Sequence, residues 1–200
     1  MNSKLPSNYL KHQSRNALQK YFINRFYGAL LTFVRLADPS GLADVGCGEG
    51  FTLERIRNSG YRGQVVGIDN SDEALLLGKG LHPDFDLRKG DIYRLPFHDK
   101  SFDLVLCNEV LEHLENPRTA VAELMRVSRK HLLLSVPNEP FFMLANLLRG
   151  KNISRFGNDS DHRNHWSTAG FTRFLHDCGL TIRKVTAPFP WTLVLAQTKK

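Results

Sequence analysis

The stretch Asp44–Gly50, written DVGCGEG, constrains the fold of this 200-residue chain more than any other feature. It continues a short apolar run, Leu42–Val45, and precedes a helix-like segment, Phe51–Arg57. Glycines at alternate positions let the backbone turn tightly and let a ligand approach it closely. A strand, a glycine-rich turn and a helix in this order are typical of α/β proteins that bind a nucleoside-containing ligand.

Segments with strand and helix character alternate along the rest of the chain. The predicted strands are Leu42–Val45, Gln64–Ile68, Phe85–Arg88, Phe102–Cys107, His131–Val136, Thr181–Val185 and Thr192–Gln197. The predicted helices are Leu18–Val34, Phe51–Arg57, Ser71–Leu77, Asn116–Ser128 and Ser167–Cys178. Gly78 and Gly80 are expected to end the third of them. This alternation predicts a mostly parallel sheet with helices on both faces.

Polar side chains follow several of the predicted strands, at or near the point where each strand ends. They are Asp44, Asp69, Asp91 and the pair Asn108-Glu109. Any one of them alone is typical of a surface residue or a helix cap. Because ligands of such sheets bind beyond the carboxyl ends of the strands, the series together indicates a binding crevice.

The spacing of the glycines bears on the charge of the ligand. The dinucleotide fingerprint is G-x-G-x-x-G, whereas Gly46, Gly48 and Gly50 form G-x-G-x-G. The loop also contains Glu49 and follows Asp44. Carboxylates repel a pyrophosphate at contact distance and attract an ammonium or sulfonium group. The loop therefore favours a cationic, nucleoside-containing ligand over NAD.

Four stretches in this order resemble the class I S-adenosylmethionine-dependent methyltransferases, in the branch typified by enzymes that act on small molecules. They are LADVGCGEG, VVGIDNSDEAL, GDIYRLPFHDKSFDLVLCNEVLEHL and AELMRVSRKHLLLSVPN. The resemblance covers about Ser40 to Cys178. It implies a doubly wound, Rossmann-like α/β fold with a seven-stranded sheet that is parallel except for the last strand. It also implies one methyltransferase domain over residues 1–200.

The resemblance implies roles in holding S-adenosylmethionine, or its product S-adenosylhomocysteine, for ten residues. Gly46, Cys47 and Gly48 would run along the methionine part. Asp69 and its neighbour Asn70 would hold the ribose, since a carboxylate matches two vicinal hydroxyls. The other five would contact the ammonium or the adenine: Asp44, Asn108, Asp91, Ile92 and Val110.

The same resemblance places the methyl acceptor between a basic N-terminal helical cap, residues 1–37, and a lid insertion, residues 140–168. Phe141, Phe142, Arg163 and Trp166 are predicted to line the acceptor site. His162 and His165 are predicted as catalytic groups. The alternative is a core helix followed by a solvated loop. His113, in LEHL, is as readily a structural histidine as a site residue.

No metal site is predicted. His162 and His165 have ligand-like spacing beside Asp159 and Asp161, but no cysteine or further histidine pair nearby completes a tetrahedral set. The three cysteines are too few and too scattered for a disulfide framework. They are expected to be reduced and partly buried.

Three classes of function stay open. They are a small-molecule methyltransferase whose acceptor is apolar or lipid-like, a methyltransferase acting on RNA or protein, and a non-catalytic cofactor-binding regulatory module. The net charge of +7 and the absence of acidic residues before Asp38 favour anionic partners such as an anionic substrate or a membrane surface. Nucleic acid is less favoured, because the sequence shows no aromatic-rich basic patch of the kind on which single strands stack. The polar N-terminus and the lack of a long apolar run predict a cytoplasmic protein. Monomer and homodimer are both compatible with the sequence.

Overall fold

The computed structural model describes Tyr9 and residues 16–148 and 161–198. The helices are α1 (Ala17–Ala37), α2 (Phe51–Asn58), α3 (Asp72–Leu81), α4 (Pro117–Val127), α5 (Glu139–Leu148) and α6 (Thr168–Asp177), with a short 3₁₀ helix at Leu111–His113. The strands are β1 (Gly41–Val45), β2 (Gln64–Asp69), β3 (Asp86–Lys89), β4 (Phe102–Asn108), β5 (Ser128–Pro137), β6 (Thr181–Thr186) and β7 (Trp191–Gln197).

The strands form one seven-stranded sheet in the order β3-β2-β1-β4-β5-β7-β6. β1 pairs in parallel with β2 and β4, while β7 is antiparallel to both β5 and β6. The predicted Rossmann-like sheet with an antiparallel last strand is therefore confirmed. The chain leaves β1 toward one edge and returns to its other side at β4, so the crevice expected in such sheets opens beside these two strands.

Each face of the sheet carries its own core, because successive side chains of a strand point to opposite faces. Leu104 and Leu106 of β4 face the layer of α1 and α2, which contributes Leu30, Phe33 and Ile56. Val105 and Cys107 face the layer of α4 and α6. Strands covered on both sides must be apolar throughout, and this explains the uninterrupted apolar run from Leu104 to Cys107.

The prediction that glycines end the third helix was wrong. α3 continues through Gly78 and Gly80 to Leu81. A Cβ atom on Gly78 would lie 2.8 Å from the carbonyl oxygen of Glu49. Glycine at this position therefore lets the helix pack directly against the glycine loop.

The basic cap and the lid lie partly outside the described residues. Of the predicted cap, the structure describes Tyr9 and residues 16–37; residues 1–8 and 10–15 lie outside the described residues. Of the predicted lid it describes α5 and residues 161–168, so Asp159 also lies outside them. Among the described helices, none is long and apolar enough to cross a membrane.

Candidate active site

A cavity of about 450 Å³ opens at the carboxyl ends of β1, β2 and β4. This volume is within the range of small-molecule sites. Nine of the ten residues predicted to hold the cofactor line it: Gly46, Cys47, Gly48, Asp69, Asn70, Asp91, Ile92, Asn108 and Val110. The tenth, Asp44, is buried in β1 next to the lining residues Val45 and Gly46.

The glycine loop wraps around the end of β2. The amide nitrogens of Gly46 and Cys47 both donate to the carbonyl oxygen of Ile68, at 2.7 and 3.0 Å. Gly46, Gly48 and Gly50 have φ angles of +81°, +53° and +89°. These angles explain the alternate glycines, because side-chain-bearing residues adopt them at a cost.

Gly46→Ala tests whether this loop must be glycine. Its Cβ would lie 2.2 Å from Cγ2 of Val110, so the variant adds overpacking to backbone strain. We expect a loss of about 2–5 kcal/mol in the free energy of unfolding, measured by urea denaturation. S-adenosylhomocysteine affinity, measured by calorimetry, should fall as well.

Gly60→Ala is the matched control, since Gly60 has a φ of +96° and nothing within 4 Å of the added Cβ. It should lose only about 1–2 kcal/mol and keep its affinity. Adding Val110→Ala to Gly46→Ala should recover part of the stability. Equal effects of the two glycine variants would contradict the steric account.

Asp69 connects the end of β2 to both the loop and the next helix. Its Oδ2 accepts from the Gly48 amide at 2.7 Å, and its Oδ1 accepts from the Ser71 amide at 2.9 Å. A carboxylate has about four lone-pair sites, so both oxygens keep capacity for a further donor. The side chain is thus held in one orientation at the cavity wall, as recognition of a diol requires.

Asn108 supplies the strongest sign that the cavity is built for a polar ligand. Among the described residues, neither its Oδ1 nor its Nδ2 has a hydrogen-bond partner, although both atoms are buried. An unpaired buried polar group costs about 1–3 kcal/mol, whereas one paired with a ligand does not. The carboxamide lines the cavity, where a ligand's ammonium could donate to Oδ1.

The electrostatics of the cavity agree with a cationic ligand. Asp69, Asp91 and Glu109 line it, and none of its described lining residues is lysine or arginine. Burial, and then the charge of Asp69, raise the pKa of Asp44 to about 7. Glu49, which entered the sequence argument as a loop charge, is fully buried and does not line the cavity.

One side of the cavity is apolar, and sequence reasoning missed most of it. Ile23, Phe26 and Tyr27 of α1 line it together with Phe51 and Trp191. The rings of Phe26 and Trp191 meet edge to face, with centroids 5.3 Å apart. Trp191 lies at least 140 positions from the other four residues in sequence. The helical spacing of apolar residues in α1 was the only sequence pattern that pointed to this wall. It predicts that one face of the helix is buried but does not predict that the face lines a cavity.

The predicted acceptor residues lie outside the cavity wall. Phe141 is half exposed, and its ring centroid is 6.1 Å from that of Phe189. The ring of Phe142 is tilted against that of His162, with centroids 5.3 Å apart. Arg163 forms an ion pair with Glu115 at 2.6 Å, and Trp166 packs against Phe171 and Phe174. In this structure Arg163 and Trp166 hold the 161–168 segment in place.

His162 and His165 also lie outside the cavity lining, and both approach the buried carboxylate of Glu139. The Nδ1 atoms of His162 and His165 lie 2.9 and 3.6 Å from its Oε1. His113, left open by the sequence, does line the cavity. Its ring centroid lies 5.1 Å from that of His162, so His162 is one residue removed from the cavity wall.

Comparison with known proteins identifies the domain. Residues 43–134 match the family described as methyltransferase domain. This range contains all ten predicted cofactor residues. Residues 43–134 therefore carry a class I S-adenosylmethionine-dependent methyltransferase domain. The unpaired Asn108 and the acidic, lysine-free wall fit that cofactor.

Two curated relatives and one solved structure illustrate the likeness. A probable S-adenosylmethionine-dependent methyltransferase of Mycolicibacterium smegmatis is 33% identical over 80% of this chain and 60% of its own length. A ubiquinone biosynthesis O-methyltransferase of an Azoarcus species is 38% identical over 39% of this chain and 35% of its own. Magnesium protoporphyrin IX methyltransferase of Synechocystis shares the fold, with a TM-score of 0.69, 17% identity and coverage of 98% and 96%.

The match to curated relatives is partial in length. The chain spans 39%, 60% and 35% of three of them. The comparison therefore supports the domain and its cofactor, while the activity and the acceptor of the whole protein are proposals.

Proposed function

We propose that this protein transfers the methyl group of S-adenosylmethionine to a small-molecule acceptor that is apolar or lipid-like. One observation carries the proposal: a single cavity of about 450 Å³ has a polar, acidic side and an aromatic side. Asp69, Asp91 and Asn108 suit the cofactor. Phe26, Phe51 and Trp191 offer an apolar surface that the charged part of the cofactor does not need.

S-adenosylmethionine supplies an activated methyl group on a sulfonium. The protein therefore has to bind the two reactants, align them and exclude water from the site. Alignment of two reactants in one site accounts for about 7–11 kcal/mol of a barrier. The glycine loop and Asp69 hold one reactant in a fixed place. The aromatic wall of α1 and Trp191 is proposed to hold the other, with the segment 1–37 as a cap and 140–168 as a lid.

The named relatives favour a small acceptor. The Azoarcus relative is, by its name, an O-methyltransferase of ubiquinone biosynthesis. RNA or protein as the acceptor rests on the net charge of +7 alone. A macromolecule would also have to reach a cavity partly closed by α1.

Transfer of isotope-labelled methyl groups distinguishes the function classes. The purified chain is incubated with labelled S-adenosylmethionine and, separately, a small-molecule extract, total RNA and a protein extract. We expect label in the low-mass, organic-soluble fraction, and none with the Asp69→Ala variant. Label in RNA or protein would show that the proposed small-molecule acceptor is wrong and that the acceptor is a macromolecule. Cofactor binding without transfer to any fraction would identify a non-catalytic module.

A further inference from the structure

The segment that carries His162 is fixed onto the 3₁₀ helix Leu111–His113. The amides of Arg163 and Asn164 both donate to the carbonyl oxygen of Glu112, at 2.8 and 3.0 Å. The side-chain amide of Asn164 donates to the carbonyl oxygens of Leu111 and Leu114, at 3.2 and 2.7 Å. Four hydrogen bonds between residues 50–53 positions apart therefore hold the two stretches in a single arrangement.

This arrangement brings three metal-ligand side chains together. One atom each of Glu112, His113 and His162 lies within 4.8 Å of the other two. The distance from His113 Nε2 to Glu112 Oε1 is 3.9 Å. The side chains of Glu112 and His162 are only 1% and 5% exposed, while His113 is 43% exposed and lines the cofactor cavity.

The hydrogen bonds of the two histidines determine which ring nitrogen can bind an ion. Nδ1 of His113 lies 2.9 Å from the carbonyl oxygen of Asp161, which can only accept, so Nδ1 carries the proton. Nδ1 of His162 lies 2.9 Å from Oε1 of the buried Glu139 carboxylate and donates to it in the same way. Each neutral ring then has its lone pair on Nε2.

We propose that Glu112, His113 and His162 bind one divalent transition-metal ion, with zinc the best match to two imidazole nitrogens and one carboxylate. Ligand histidines characteristically donate their other N–H to a carboxylate or a backbone carbonyl. Here Glu139 and the Asp161 carbonyl do so, and they are positioning groups. Three protein ligands leave one coordination position for water or a substrate atom.

The sequence argument against a metal counted only ligands near His162 and His165 in sequence. The fold supplies the others from a different part of the chain. Glu112 and His113 come from the 3₁₀ helix after β4, and Glu139 comes from the start of α5. The cluster thus joins three elements at one edge of the cavity.

The position of the ion gives it a role that rests on the proposed function. His113 lines the cavity. An ion bound by its Nε2 would stand at the cavity edge, where a hydroxyl of the acceptor could take the open coordination position. A bound ion lowers the pKa of such a hydroxyl, which releases its proton to water. The oxygen then bonds to the methyl carbon as the carbon–sulfur bond breaks, and that electron pair stays on sulfur. Acceptors with a coordinating hydroxyl are therefore the expected substrates.

Zinc titration of the full chain, first freed of metal by chelation, tests the site. We expect one zinc ion to bind by calorimetry, and Glu112→Gln or His162→Asn to lower its affinity at least a hundredfold. Glu139→Gln should lower it by about 10–100-fold and keep the stoichiometry, as expected of a positioning residue. Cobalt substitution should give a visible spectrum that Glu139→Gln shifts but does not abolish.

Matched controls separate the site from surface binding and misfolding. Asp72→Asn and His176→Asn change exposed residues away from the cluster and should leave zinc binding unchanged. S-adenosylhomocysteine titration of Glu112→Gln and His162→Asn shows whether the cavity is folded. The proposal is overturned if the wild type binds no zinc or if these two variants bind it normally. It is also overturned if His165→Asn removes binding while His113→Asn does not. Zinc binding without methyl transfer would contradict only the proposed function.

Discussion

Asp69→Ala is expected to weaken S-adenosylhomocysteine binding by more than a hundredfold. The carboxylate is proposed to accept two hydrogen bonds from the ribose, and each charge-assisted bond contributes about 1.5–3 kcal/mol. A factor of ten in affinity corresponds to about 1.4 kcal/mol. The variant also removes the acceptor of the Gly48 amide, which fixes the glycine loop. Isothermal calorimetry measures the effect directly.

Asp69→Asn and Asp72→Ala refine this test. Asn keeps one accepting oxygen, so its loss of affinity should lie between those of the wild type and Asp69→Ala. Asp72 is exposed at the start of α3 and does not line the cavity, so Asp72→Ala should bind normally. If Asp69→Ala retains wild-type affinity, the ribose assignment is wrong.

Asp44→Asn is expected to stabilise the ligand-free protein while weakening its binding of the cofactor. Burial and the charge of Asp69 raise the pKa of Asp44 to about 7. Between about pH 4 and that value, the native state holds a proton that the unfolded state releases. The contribution of Asp44 to the free energy of unfolding therefore falls as pH rises through this window. An asparagine side chain does not titrate, so position 44 of the variant contributes no pH dependence to the free energy of unfolding.

Urea denaturation of the wild type and Asp44→Asn at pH 5 and pH 8 measures this effect. The variant should gain on the order of 2–4 kcal/mol relative to the wild type between these two conditions. Wild-type affinity for S-adenosylhomocysteine should rise with pH through about 7, because an ionised Asp44 attracts the ligand's ammonium. That rise should be smaller in Asp44→Asn. A stability difference that is the same at both pH values would contradict the account.

The sequence predicted the parts of this fold that depend on local pattern. Short apolar and β-branched runs located the seven strands, and helical spacing with cap and turn residues located five of the helices. The polar residues at strand ends marked the crevice. The series worked because β1, β2 and β4 are parallel neighbours, whose carboxyl ends lie at one edge. The glycine loop could be recognised because its positive φ angles favour glycine, so its backbone conformation leaves a pattern in the sequence.

The features that sequence reasoning missed depend on contacts between distant elements. Gly78 was predicted to end a helix. Glycine is needed there because the Glu49 backbone packs against α3, and this tertiary contact is not visible in the sequence. The aromatic wall combines α1 with Trp191, and the histidine–glutamate cluster combines residues 112, 113, 139 and 162. The residues of each group are too far apart in the chain to form a recognisable sequence motif.

Comparative titration with S-adenosylhomocysteine and NADH tests the central claim most directly. The acidic cavity at the ends of β1, β2 and β4 should bind S-adenosylhomocysteine at one site per chain and show no measurable binding of NADH. The same titration with Asp69→Ala should lose the first signal. Binding of NADH in this cavity, or no binding of S-adenosylhomocysteine by the folded wild type, would contradict the claim.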